Sequence, residues 1–375
     1  MANTITPLVP KILGRAMMAL RQTAWMPRLV NSDYSTDAAK KGSTIDIPIP
    51  SALTATDVTP APTLTPSDST PTTTQIQLNS WKRVTFHLTD KDYAEIDANA
   101  AFVPMQLTEA MKALGNAVNQ SIWDAYKKVY GYTGIAGTTP FASNYDSALD
   151  VRKILADQLC PKGERRFVVD NTAEVNLLKL APFRDASQSA DARVIAEGEI
   201  GRKLGFDWFA DDAVPLHTAG TGSGYLVNNG SGLAIGAKTA AVDTGTGTLV
   251  EGDIIFFAGH AQSYVITAAY AGGAGTIAFE PALVATVADN AAIAKVATHR
   301  VNLAFHRDAI GFANRSMASE LDRMSPNPTW TVQDPKTLLV FRAELIRQAK
   351  QWVWDFDILY GAGIARRELA CRLGG

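Results

Sequence analysis

The chain has 375 residues, of which 46% are apolar and 19% charged, and its formal net charge is −2. That length and apolar share allow about two or three compact units with a sizeable core, while a charged share below the usual quarter fits a surface partly hidden by partners. Basic residues form no run longer than a pair (Lys40–Lys41, Lys127–Lys128, Arg165–Arg166 and Arg366–Arg367 among them), which excludes a protein that grips nucleic acid by neutralising phosphates; no apolar run is long enough for a membrane span, and the N-terminus lacks the pattern of a secretory signal.

Residues 1–35 read as an arm, with a short amphipathic helix over Lys11–Leu20 that is expected to dock on a neighbour. Residues 44–90 read as one long β-hairpin. The outgoing limb Thr44–Pro50 alternates Ile45, Ile47 and Ile49, and the return limb Gln75–Thr89 alternates Ile76, Leu78, Val84, Phe86 and Leu88. Between them lies a Thr/Pro-rich tract that cannot form a core. Ordering a segment of this length costs on the order of 50–90 kcal/mol of backbone entropy, which an isolated hairpin does not recover. Other copies of the chain are therefore expected to supply contacts. The candidate subunit-contact residues are Ile45, Ile47, Ile76, Trp81, Val84 and Phe86.

The spacing of Leu107, Met111, Leu114, Val118, Ile122, Ala125 and Val129 predicts a helix over 105–130, about 39 Å long. A second helix is predicted over Ser147–Cys160, a buried strand over Arg166–Asp170, and a third helix over Asn171–Leu180, N-capped by Asn171 or Thr172. From 222 to 297 the chain turns Gly/Ala/Thr/Val-rich, with short strands at Tyr225–Val227, Leu233–Ile235, Asp253–Ala258, Tyr264–Tyr270, Thr276–Phe279 and Ala292–Val296. This is the pattern of a small inserted β-barrel. Thr337–Arg347, Gln351–Ala362 and Ile364–Leu373 are strand-like, although RAELIRQAK fits a helix equally well on propensity.

Chemical motifs are sparse. Ala241–Thr246 matches an aspartic-protease signature, but that chemistry needs two carboxylates sharing a proton, and Asp243–Thr244–Gly245 reads better as a turn. The Gly-rich stretches 220–224 and 245–247 are followed by no helix and read as loops. His299 and His306, with Asp308 nearby, lack the short spacing of metal ligands. Cys160 and Cys371 read as buried thiols. No catalytic, cofactor or metal residue is assigned.

Three segments together resemble the major capsid (coat) proteins of tailed bacteriophages, in the branch whose coat carries an inserted β-barrel. They are Ile195–Trp208, with Gly198, Ile200, Gly201, Arg202, Gly205 and Phe206 at matching positions; Asn302–Phe312, with Leu303–His306 and Arg307–Ala309; and Val353–Leu373, with Leu359–Gly361 and Arg367–Leu369. The resemblance implies an α+β Hong Kong 97-type fold. The arm would be 1–35, the extended loop 36–92, the peripheral domain with its spine helix 93–146 and 326–375, the axial domain 147–221 and 298–325, and the insert 222–297. It also implies a self-assembling protein, made in a bacterial cytoplasm and ending in the virion. Pentamers and hexamers would enclose double-stranded DNA in an icosahedral shell with no membrane. A separate scaffolding protein, a portal and, in some members, a decoration protein are its implied partners. An encapsulin-like compartment, or a secreted β-rich adhesin or carbohydrate-binding module, are the alternatives.

Overall fold

The computed structural model describes residues 25–34, 44–50, 53, 55, 57, 71–91, 105–184, 200–315, 327–333 and 339–375. The expected arm helix at 11–20, most of the loop between 51 and 70, and Gly198 lie outside the described residues. The chain divides into two compact units: one holds 32–114 and 311–365, the other 18–31, 115–310 and 366–375.

In chain order, a short helix α1 (Met26–Leu29) carries Pro27 in its first turn. Strands β1 (Thr44–Ile49) and β2 (Thr72–Gln77) form a hairpin whose register runs from Thr44↔Gln77 to Ile49↔Thr72. Strand β3 (Ser80–Thr89) follows. Helix α2 (Met105–Trp123) buries Met111, Leu114, Val118 and Ile122 as one stripe, and then tightens into a 3-10 turn over Asp124–Lys128. The tighter turn brings Asp124 and Lys127 into an ion pair at 3.2 Å and buries Tyr126, so the α-helix stops short of the predicted 105–130.

Next come β4 (Gly131–Gly134), α3 (Asp146–Asp157), β5 (Arg165–Val169), α4 (Asn171–Lys179) and α5 (Ala181–Arg184). The cap of α4 is Asp170, one residue earlier than predicted, because its carboxylate accepts from the Thr172 amide at 3.3 Å. Strands β6 (Arg202–Lys203), β7 (Phe206–Ala210) and β8 (Leu216–His217) lead into the predicted insert. The insert carries β9 (Leu226–Val227), β10 (Thr239–Asp243), β11 (Ile254–Phe257), β12 (Tyr264–Ile266), β13 (Gly275–Glu280) and β14 (Ile293–Lys295). Strands β15 (His299–His306), β16 (Ile310–Arg315), β17 (Thr329–Gln333), β18 (Val340–Gln348), β19 (Gln351–Ile364) and β20 (Ala370–Gly374) complete the chain.

In the first unit a five-stranded sheet runs β16-β19-β18-β17, with β3 also on β19. The ambiguous RAELIRQAK segment is strand. Phe341, Ala343 and Leu345 are buried in alternation, and Ala349 and Lys350, both with positive φ, turn the chain straight into β19. One face of this sheet is apolar: Phe86 stands opposite Trp354 and stacks on it (6.2 Å) and on Phe356 (6.1 Å).

The single long hairpin predicted over 44–90 is therefore corrected. Among the described strands β1 pairs only with β2, and β3 joins the sheet through ten paired positions, Ser80↔Tyr360 to Thr89↔Gln351. Ile45, Ile47, Ile76 and Leu78 close a cluster of their own with Ala313 and Ala365, flanked by Tyr34 and Leu359. Gly361 makes this fit possible, because a Cβ there would land on the Gln77 carbonyl oxygen.

The second unit holds a seven-stranded sheet, β4-β20-β15-β5-β7-β6, with β8 on β15. Phe141, Phe167, Phe183, Phe206 and Trp208 pack as its aromatic core. Residues 366–375, predicted to lie with the peripheral strands, are corrected too: β20 sits between β4 and β15. Residues 26–31, predicted as part of an arm, dock within the same unit. Met26 N donates to Asn119 Oδ1 at 3.0 Å and Asn31 N to Ile310 O at 3.1 Å.

The inserted segment forms a six-stranded sheet, β14-β11-β12-β13-β10-β9. Bonds from Val227 N to Ala291 O (3.0 Å) and from Ile293 N to Tyr225 O (2.9 Å) bring its two end strands together. Phe257, Tyr264 and Phe279 fill its core with centroids 5.2–5.5 Å apart. Strand β10, which contains Asp243, has no counterpart among the predicted strands; it pairs with β13 and β9.

Candidate functional site

The five-stranded sheet separates the predicted contact residues by parity. Val84 and Phe86 are half-buried on its apolar face, whereas Trp81 points to the opposite face and is 58% exposed. Ile45, Ile47 and Ile76 are at most 6% exposed and are occupied inside the chain. The six do not form one surface, and three of them are satisfied by Ala313, Ala365 and one another.

The face that carries Trp81 is charged, and sequence reasoning missed it. Asp357 lies across from Arg342 and Arg83, and Asp355 across from Glu344 and Thr85. Arg342 grips Asp357 through two bonds, Nε to Oδ1 at 3.1 Å and Nη2 to Oδ2 at 2.5 Å. The Trp81 indole Nε1 donates to the same carboxylate at 3.1 Å. Arg83 reaches Asp355 at only 3.9 Å, and its side chain is 73% exposed. Burial pushes the Asp355 carboxyl above its ordinary value, and Asp357 and Glu344 push the same way against Arg83 and Arg342. The only sequence signal for this ladder was the alternation Asp355-x-Asp357 and Arg342-x-Glu344, which the apolar pattern overshadowed.

In the second unit, buried polar side chains tie elements together. Asp211 accepts from Asn119 Nδ2 (3.0 Å), Trp123 Nε1 (2.9 Å) and Ala213 N (2.9 Å), linking α2 to the turn after β7. Tyr126 and His217 Nδ1 lie 3.1 Å apart, and His217 Nε2 lies 2.9 Å from Asp253 Oδ1. Arg372, fully buried, donates from Nη1 to Gly252 O at 2.8 Å. Burial lowers its guanidinium to about 9, so it stays charged at neutral pH.

The other sequence candidates resolve locally. Asp243 ends β10 at a turn in which Gly245 N bonds to its carbonyl at 2.6 Å and Thr244 adopts φ 62°. His306 caps a 3-10 turn by accepting from the Asp308 amide at 3.2 Å, while His299 lies at the other end of β15. Among the described residues, no group of His, Cys, Asp and Glu is arranged to hold a metal ion, and no helix is long and apolar enough to cross a membrane. Cys160 and Cys371 are free, buried thiols, and burial raises the pKa of both.

No family model matches the chain, and no curated protein matches it. Solved structures do. A structure from Mycobacterium phage Che8 is similar with a TM-score of 0.51 at 14% identity, covering 92% of this chain and 89% of that one. The capsid of cyanophage P-SCSP1u is similar with a TM-score of 0.50 at 13% identity, covering 92% of this chain and 85% of that one. The mixed α+β architecture is thus a fold shared along nearly the whole chain with two phage structures, one of them a capsid.

Proposed function

We propose that this chain is the major capsid protein of a tailed bacteriophage, a structural rather than catalytic protein whose copies build an icosahedral shell from pentamers and hexamers around double-stranded DNA. The observation that carries the proposal is the extent of the shared fold: two phage structures, one of them described as a capsid, match over 92% of the chain. On this reading the five-stranded sheet belongs to the peripheral domain of a Hong Kong 97-type subunit, α2 is the spine helix, the seven-stranded sheet is the axial domain, and 222–297 is an inserted barrel. The hairpin β1–β2 and the loop at its tip form the extended loop that reaches a neighbouring copy.

Many modest interfaces, heterologous within a capsomer, suit such an assembly. A net charge of −2 lets packaged DNA stay mobile against the wall. A separate scaffolding protein and a portal belong to the same proposal, and the shell is placed in the virion after assembly in the host cytoplasm.

Electron microscopy of the purified protein, alone and co-expressed with a scaffolding protein, tests this. Closed shells of uniform size are expected, and a protein that stays monomeric under every such condition would overturn the proposal. Nucleic acid rather than a cargo enzyme inside the particles separates a virion shell from an encapsulin-like compartment.

A further inference from the structure

A cluster of buried ionisable groups lies where the inserted sheet meets the seven-stranded one, and the proposed shell contacts make no use of it. Strand register builds its sheet side. Arg372 stands opposite Tyr132 in the β20–β4 pair, and His299 opposite His217 in the β15–β8 pair. The insert side is the turn before β11, where Gly252 O accepts from Arg372 Nη1 and Asp253 meets His217 Nε2. The amides of Gly220 (3.2 Å) and Val250 (2.9 Å) donate to the same Asp253 carboxylate. Asp253 and Arg372 have no exposed surface.

His217 is bonded at both ring nitrogens, Nε2 to Asp253 and Nδ1 to the Tyr126 hydroxyl. His299 Nδ1 lies 2.8 Å from Ala297 O and carries its hydrogen there. That leaves the His299 Nε2 lone pair buried with no hydrogen-bond partner, and Nε and Nη2 of Arg372 are likewise buried and unbonded. The groups facing His299 are known from every side. The His217 ring is 5.4 Å away on β8, the Tyr132 ring 5.2 Å away on β4, Arg372 lies on β20, and Asp253 on the insert. A proton on His299 Nε2 would be a second buried cation beside Arg372, with Asp253, already holding three donors, as the facing anion.

We infer that His299 is a proton-gated latch for the insert: neutral, it allows the Arg372–Gly252 and His217–Asp253 bonds to close and the insert to dock; protonated, it breaks the cluster and lets the insert lift off while the seven-stranded sheet stays folded. The inference goes beyond the proposed capsid role and holds whether or not copies build a shell.

The direction with pH follows from burial, assisted by Arg372 and His217, which holds the docked imidazole at about 4 against an ordinary 6.5. Between these values the undocked form binds the extra proton. Docking is therefore at full strength above 6.5 and is lost as pH falls toward 4.

Hydrogen exchange on the full chain, corrected for intrinsic amide chemistry, tests the latch. From pH 7.5 to pH 5, opening of β11 and β12 should rise roughly thirty-fold, while the centres of β5 and β15 stay unchanged. His299→Phe keeps a ring against Tyr132 and cannot titrate, so its insert should show a flat profile; if it fails to fold, His299→Gln carries the same test. An equal rise in either variant, a parallel rise across the sheet, or no rise in the wild-type insert overturns the inference.

Discussion

At the scale of single residues, the polar face of the five-stranded sheet holds one carboxylate that works against the fold. Asp355 faces Glu344 across the strand pair, its Oδ1 is buried without a hydrogen-bond partner, and Arg83 reaches it only at 3.9 Å. Because the folded protein holds this carboxyl above its ordinary value, the folded state binds the proton more tightly than the unfolded one. The associated stability is present at low pH and is lost as pH rises through the ordinary carboxyl range and up to the raised folded value. Asp355→Asn is therefore expected to stabilise the protein at pH 7 by an amount on the order of 1 kcal/mol, an advantage that shrinks below about pH 4. Urea titrations of both proteins at pH 7 and pH 3.5 check this, and a variant less stable than wild type at pH 7 would contradict it. Its neighbour Asp357, by contrast, has both oxygens bonded, by Arg342 and Trp81.

At the scale of elements, the sequence was most legible where one pattern had one cause. The stripe of α2, the strand at β5 and five of the six insert strands follow directly from spacing. The hairpin was misjudged for a definite reason. The break between β2 and β3 is two residues long, Leu78 and Asn79, so the alternation Ile76, Leu78, Val84, Phe86, Leu88 passes through it in phase. Parity showed which residues face inward but not which partner they face. The polar cluster around His217, Asp253 and Arg372 was illegible because its members are 36 and 119 residues apart in sequence and meet only once the strands and the turn before β11 are folded together. Gly361 offers a test of the hairpin's docking. In Gly361→Ala the new methyl meets the backbone oxygen of Gln77, so a loss of about 2–3 kcal/mol is expected, with faster exchange in β1 and β2 than in β18. Unchanged exchange in the hairpin would show that it is held by something other than this close approach.

At the scale of the whole molecule, the question is which surface remains for a neighbour once the chain has satisfied its own apolar residues. The isoleucines of the hairpin are spent internally, Val84 and Phe86 are half-buried, and Trp81 is the most open member of the proposed contact set. Under the capsid proposal, Trp81→Ala should cut the yield of closed shells by roughly tenfold or more, since a loss of about 1.4 kcal/mol per contact is repeated at every copy. The melting temperature of the unassembled protein should fall only modestly, through loss of the indole bond to Asp357, because Arg342 still holds that carboxylate and more than half of the Trp81 side chain is exposed. Light scattering during assembly, together with a thermal melt, reads both, and normal shell yield would remove Trp81 from the contact set. The two-residue break before β3 has a mechanical side as well. Under the capsid proposal a neighbour pulling on the hairpin would load β3, and a force along that strand would have to shear ten paired positions against β19 together rather than unzip them in succession. On that proposal the joint at Leu78 and Asn79 would make the hairpin a tie-rod anchored in the sheet, so tension between adjoining copies would be shared across a whole strand instead of concentrating at the root of a loop.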